Sequence, residues 1–276
     1  MHDAPFYDRL LESVDQLGPE EYSIRLVEQI ELEGSSAGGK SFAYELHDFY
    51  DGEGSLKQST NSGDRYIAIA VDRDYEEFSS PLREHLHVLY TVAADVEAEI
   101  LLNGDIRRAA GSAYSLSKED VRKAMPPGFD LARELALRWK DWIICRAVAT
   151  SCDVHGDVRY ASLSKINVSI FGAVDEQQAR ELHEKLDAAV QPNISRAIAA
   201  RALVNQHFEL GTHPILVKGR WLSKFVHYLI AVALEGQPRE SNVGSEILTK
   251  TCLETVDFRS AWAAPHRDKI ESLLAS

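Results

Sequence analysis

The chain has 276 residues, 45% of them hydrophobic and 26% charged, with a net charge of −13. That length buries a large core, as one big domain or two smaller ones, and apolar residues in every segment exclude a disordered chain. Three cysteines, Cys145, Cys152 and Cys252, are too few and odd in number for a disulfide framework, which predicts a reducing, cytoplasmic setting.

The charge is unevenly placed: residues 1–100 carry −15 and residues 101–276 carry +2. An acidic field of that kind repels nucleic acid and attracts basic partners. The opening Met1–Pro5 has neither a basic patch nor an apolar run, which is not the pattern of a signal peptide. The longest apolar stretch, Phe225–Leu234, is about ten residues, too short to span a bilayer.

In chain order, Phe6, Leu10, Leu11 and Val14 predict a short helix over 5–17. The period then falls to two. Ile24, Leu26, Ile30 and Leu32 alternate with polar residues, as do Phe42, Tyr44 and Leu46, and Ile67, Ile69 and Val71 follow in the same way. With a Gly- and Ser-rich loop over 51–64, these segments predict a three-stranded antiparallel meander. Ser79-Ser80-Pro81 is a helix start signal, and Leu82, Leu86, Leu89, Ala93, Val96 and Ile100 follow at helical spacing up to Asn103-Gly104. Residues 105–116 read as irregular. Ser117 and Asp120 form a capping arrangement for a short helix that stops before Pro126-Pro127-Gly128, the candidate internal boundary. Asp130 opens a helix to about Thr150. The segment 158–172 returns to a strand pattern, helices are expected over 175–190 and 194–208, and a short strand over 213–217. Further helices are expected over 221–234 and 246–258 and after Pro265. The fold class is therefore α+β, an N-terminal antiparallel sheet followed by a helix-rich C-terminal half. The expected division is a sheet-rich acidic region 1–125 and a helix-rich region 126–276, or one single domain.

One stretch carries a phosphate-binding pattern. Gly34-Ser35-Ser36-Ala37-Gly38-Gly39-Lys40-Ser41 fits G-x-x-x-x-G-K-[ST] and resembles the Walker A loop of P-loop nucleotide hydrolases. The resemblance covers eight residues plus the apolar run Tyr66–Val71 ending at Asp72. It implies ATP or GTP with Mg²⁺, held by Gly34, Gly39, Lys40, Ser41 and Asp72. The flanks point elsewhere: Glu31 and Glu33 on the preceding strand predict a small-residue connection between two antiparallel strands, with no cofactor.

Other constellations are thinner. Cys152, Asp153, His155 and Asp157 cluster in six residues but supply one ligand pair where zinc wants two, so no metal is expected there. Arg138, Trp139, Trp142 and Arg146 mix bases with aromatics, and tryptophans at that spacing read as core. Asp72, Asp74, Glu76 and Glu77 gather where a strand exits.

Three functions follow. The first is a non-catalytic interaction or regulatory protein of an intracellular assembly, meeting a basic protein partner through Glu31, Glu33, Glu45, Asp72 and Asp74. The second is a nucleotide-binding enzyme built on Gly34–Ser41. The third is a metal-dependent nucleic-acid enzyme with Asp72 and Asp74 as ligands.

Overall fold

The structure, a computed structural model, describes residues 3–18, 21–30, 38–61, 63–79, 81–154, 171–235 and 245–276. It is α+β: a small antiparallel hairpin in the N-terminal part and a helix-rich C-terminal half.

The first helix, α1 (Asp3–Glu12), buries Phe6 and Leu10 as its apolar spacing requires. The expected strand over 24–32 is instead extended coil with a 3₁₀ turn at Val27–Gln29, and Glu31, Leu32 and Glu33 lie outside the described residues. The expected second strand is a helix, α2 (Gly39–Gly52). Phe42 and Leu46 satisfy both periods, but the buried set Phe42, Ala43, Leu46 and His47 is a helical stripe.

The hairpin lies further on, where a loop was expected. Strand β1 (Lys57–Thr60) pairs antiparallel with β2 (Gly63–Tyr66), with Lys57 opposite Tyr66 and Thr60 opposite Gly63. The third expected strand is divided. Its second part, β3 (Ile69–Val71), pairs parallel with β4 (Val88–Tyr90), in the register Ile69–Val88 and Val71–Tyr90. The long helix expected from Leu82 is therefore absent over its first half. A short helix α3 (Glu76–Ser79) precedes β4, and the helix itself, α4 (Val96–Asn103), starts only after Asp95. Backbone pairing with β3 captures Val88 and Leu89, a long-range gain that helical spacing does not encode.

Beyond Gly104 the described residues are mostly helical: α5 (Ile106–Ala113) where irregular chain was expected, then α6 (Lys118–Ala124) with the Ser117–Asp120 capping box. Helices α7 (Leu131–Arg138) and α8 (Lys140–Ser151) break at Trp139. The strand expected over 158–172 falls almost wholly outside the described residues. Helices α9 (Glu176–Ala189) and α10 (Ile194–Leu210) match expectation, whereas 213–217 forms a 3₁₀ turn in place of a strand. Helices α11 (Gly219–Ala233), α12 (Ser245–Leu253) and α13 (Ala264–Leu274) complete the chain.

One contiguous buried cluster runs from Phe6 on α1 to Ile270 on α13. A smaller one, Ala43, Val71 and Val88 with Tyr44 and Tyr90 against it, glues α2 to the β3–β4 pair. Each buried valine there contributes about 1.5–3 kcal/mol. This layer holds the start of α2 beside the end of β3. Among the described residues, no helix is long and apolar enough to cross a membrane.

Candidate functional site

In parallel sheets, ligands settle beyond the carboxyl ends of the strands, where the loops diverge. Here β3 ends at Val71 and runs straight into Asp72-Arg73-Asp74. The loops after β3 and β4 are tied together: the Thr91 hydroxyl accepts from the Arg73 N–H at 2.9 Å, and the Asp74 N–H donates to the Ala94 carbonyl at 2.7 Å. Asp74 has φ of 50°, a left-handed conformation uncommon for a residue with a Cβ.

Asp72 accepts one hydrogen bond, from the Val96 N–H at 3.2 Å, at the first turn of α4. Burial, followed by repulsion from Asp95, Asp74 and Asp3, pushes its carboxyl up to about 7. Asp95 is buried and caps α4 through the Ala98 N–H at 2.8 Å. Burial raises it to about 6, against the hydrogen bonds it receives. Burial is the main cause at both carboxyls, and Asp95 offsets part of it through its capping hydrogen bonds.

Cations arrive from the other side. Gly38 and Gly39 have φ of 109° and 76°, which glycine alone adopts without strain, and they turn the chain into α2. Lys40 then extends to Glu76 Oε2 at 3.1 Å, Asp74 Oδ2 at 3.5 Å and the Arg73 carbonyl at 3.4 Å. Lys218, just before α11, pairs with Asp74 Oδ1. Glu76 is held in place by the Tyr44 hydroxyl at 2.7 Å. Glu77 is raised by burial, but His207 at 3.5 Å and Arg73 at 2.7 Å outweigh that and leave its carboxyl below the usual range.

Lys40, Asp74, Tyr75, Glu76, Ser79, Arg146, Thr150 and Lys218 line a cavity of about 430 Å³. It is open to solvent and lined mainly by charged and hydroxyl-bearing side chains. Arg146, from α8, sets its guanidinium 6.0 Å from the Tyr75 ring centroid, and the Tyr75 hydroxyl is fixed by the Leu216 carbonyl at 2.9 Å. The Thr150 hydroxyl oxygen is buried with no hydrogen-bond partner among the described residues.

The residues singled out in the sequence divide as follows. Lys40 and Asp74 come together here, with Gly39 at the helix start, while Asp72 turns to the first turn of α4. Ser41 and Glu45 are exposed on α2. Gly34, like Glu31 and Glu33, lies outside the described residues. The connection around Gly38 leads into a helix, not into the second strand of a hairpin. Cys152 is buried with its thiol toward the Asn193 carbonyl, and its suggested partner His155 lies outside the described residues. Trp139 and Trp142 are core.

Sequence reasoning passed over Asp95 and Lys218 and saw Arg146 only as part of a mixed helix. Asp95 carried a readable signal, an N-cap residue before Val96. Among the described residues no group of three or more His, Cys, Asp and Glu side chains is arranged to hold a metal ion. Asp72 turns its carboxylate to the Val96 N–H and does not line the cavity, whereas Asp74 faces Lys40 and Lys218. Compared with protein-family models, with curated proteins and with solved structures, the chain shows no significant match to any of them.

Proposed function

We propose that this protein is a divalent-cation-dependent enzyme of phosphate-ester chemistry, acting on nucleic acid, with Asp72 and Asp74 as the cation's protein ligands. The observation that carries the reading is a strand exit: Asp72 and Asp74 follow β3, and Asp74 lines a cavity walled by Lys40, Arg146 and Lys218. Mg²⁺ is commonly held by one or two carboxylates, with waters and substrate phosphates filling the remaining positions, so two ligands suffice. A bound cation activates water and neutralises charge on the phosphate oxygens, and the cationic wall orients the ester. Burial raises the Asp72 carboxyl most, and a divalent ion would relieve the smaller share that repulsion from Asp95, Asp74 and Asp3 adds.

The test is cleavage of labelled single-stranded DNA, duplex DNA and RNA in Mg²⁺ or Mn²⁺. Wild-type turnover that EDTA abolishes, reduced about a hundredfold or more by Asp72→Asn and by Asp74→Asn, is the expected result. No turnover on any substrate, together with no Mn²⁺ binding by calorimetry, overturns the reading.

A second reading, a contact surface for a basic protein partner, is favoured by α2. Its outer face exposes Glu45, Asp48 and Asp51 around Phe49, which is itself 46% exposed. Calorimetry with a lysine-rich peptide tests it. Binding that disappears at high salt and in the Glu45→Lys, Asp51→Lys double variant supports this surface, and salt-independent binding or none removes it.

A further inference from the structure

We propose that the cavity beside β3 is a binding site for a terminal phosphate, a phosphate monoester held by Lys218, Arg146 and the Thr150 hydroxyl with no metal ion between them and the ligand. The site needs no cation and so stands apart from the functional reading above.

The lining sets three cations, Lys40, Arg146 and Lys218, against two carboxylates, Asp74 and Glu76. The carboxylates do not engage the three cations equally. Lys40 directs its ammonium at three acceptors: Glu76 Oε2 at 3.1 Å, the Arg73 carbonyl at 3.4 Å and Asp74 Oδ2 at 3.5 Å. An ammonium has three N–H donors, so those of Lys40 are all taken within the wall. The Ser79 hydroxyl donates to the Glu76 carbonyl at 2.9 Å, and the Tyr75 hydroxyl to the Leu216 carbonyl, also at 2.9 Å. These groups build the wall and have no donor left for a ligand.

Lys218 is different. Among the described residues its ammonium pairs with Asp74 Oδ1 alone, which leaves two of its N–H donors. Arg146 and Thr150 lie one turn apart on α8, so guanidinium and hydroxyl share a face. Both line the cavity, and the Thr150 oxygen is buried with no hydrogen-bond partner among the described residues. A buried hydroxyl left unpaired is unfavourable, and an acceptor placed in the cavity removes that penalty. Arg196 sets a further guanidinium at the edge, where it donates to the Ser79 carbonyl at 3.3 Å.

Unmet donors and one more cation than carboxylates call for an anion rich in acceptor oxygens. A phosphate monoester carries about two negative charges at neutral pH and three acceptor oxygens on its terminal group. Arg meets such a group through a planar fork and Lys as a point charge. An internal diester has fewer charges and fewer free oxygens, with chain leaving on both sides, and a carboxylate has fewer oxygens still in reach of donors from several directions. At about 430 Å³ the cavity exceeds a phosphate group, so part of what the phosphate is attached to enters with it. A free nucleotide and the end of a nucleic-acid strand both present this chemistry.

The experiment uses the full chain in EDTA. A fluorescent single-stranded oligonucleotide with a 5′-phosphate is compared by anisotropy with the same strand ending in a 5′-hydroxyl, and AMP is compared with adenosine by calorimetry. The phosphorylated member of at least one pair is expected to bind about tenfold more tightly. Preference within the oligonucleotide pair alone assigns the phosphate to a strand end, preference within the AMP pair alone assigns it to a free nucleotide, and preference in both assigns it to the monoester whatever carries it. In Lys218→Met the preference is expected to fall below about twofold, and Thr150→Val, which keeps the shape of the side chain, is expected to lower it about threefold. Lys218→Arg is expected to retain it, which separates loss of charge from a folding defect. Equal affinity within both pairs in the wild type, or a preference that survives intact in Lys218→Met, overturns the inference and leaves the functional reading to its own cleavage test. A preference that appears only when Mg²⁺ replaces EDTA overturns it as well, since the phosphate would then be held through a cation.

Discussion

The carboxylate of Asp95 accepts a hydrogen bond from the Gly219 N–H at 2.9 Å, across 124 residues of chain. The same oxygen accepts from Ala98 at 2.8 Å, so one side chain caps α4 and α11 together. The two helix starts pack so closely that a Cβ on Gly219 would lie 2.3 Å from Glu97 Cβ and 2.4 Å from the Ala98 nitrogen. Backbone atoms there cannot yield as a flexible side chain would. Gly219→Ala is therefore expected to destabilise the fold by about 3 kcal/mol, measured as a lower urea midpoint at unchanged slope. A change under about 0.5 kcal/mol would show that the two helices are not packed in this way.

Asp72 makes a prediction about pH. Its folded carboxyl titrates at about 7, far above the unfolded value of 3.8. Between those values the unfolded chain has lost a proton that the folded chain still holds. Stability from this group is therefore complete below about pH 4, falls as pH rises, and is fully lost above about 7. Asp72→Asn removes the titration. The variant is expected to exceed the wild type by about 2 kcal/mol at pH 8 and to show little advantage at pH 4. Urea titrations across that range check it, and a constant offset at every pH would contradict it. A residue whose neutral isostere is more stable is retained for a reason other than stability.

The same carboxyl sets how cation binding depends on pH under the proposed function. A cation must displace the Asp72 proton, so below about 7 each unit fall in pH is expected to weaken Mn²⁺ binding by up to about tenfold, with a plateau above. Calorimetry in buffers of different ionisation enthalpy would count the released proton. In Asp72→Asn both the slope and the proton release should vanish. Affinity that is flat from pH 5.5 to 8 in the wild type would remove Asp72 from the ligand set.

Part of this arrangement was legible in the sequence. Helices α6 and α9 follow from caps and apolar spacing that act within a few residues and α11 from apolar spacing alone, and the Ser117–Asp120 box marks one start to the residue. Asp72 and Asp74 stood out as carboxylates leaving a strand, and Lys40 stood out through its glycine-rich context. What failed was non-local. Phe42, Tyr44 and Leu46 alternate, but Tyr44 turns its hydroxyl to Glu76 and Tyr90, partners 32 and 46 residues away, and the segment is helical. Leu86, Leu89 and Ala93 keep helical spacing, yet pairing with β3 draws Val88–Tyr90 into a strand. Arg146 and Lys218 reach the cavity from separate helical regions, so no local pattern could have joined them to Asp74.

The last prediction concerns what holds the Asp95 loop. Glu99 is only 1% exposed, and its Oε1 accepts from the backbone N–H groups of Val92 and Ala93, the segment just after β4. Its other oxygen meets His266 Nε2 at 2.9 Å, and His266 is itself buried on α13. A buried carboxylate is tolerated when paired, and removing one partner leaves the other charge desolvated. His266→Ala is therefore expected to destabilise the protein by about 3–5 kcal/mol. Glu99→Gln should cost much less, because its amide oxygen still accepts from Val92 and Ala93 while the charge is gone. In the double variant the loss should fall well short of the sum, since His266→Ala no longer strands a buried charge once Glu99 is neutral. Urea denaturation of the wild type, both single variants and the double variant measures this coupling. Strict additivity would mean that Glu99 and His266 act independently, and that the bracket placing Asp95 beside Asp72 is backbone packing alone.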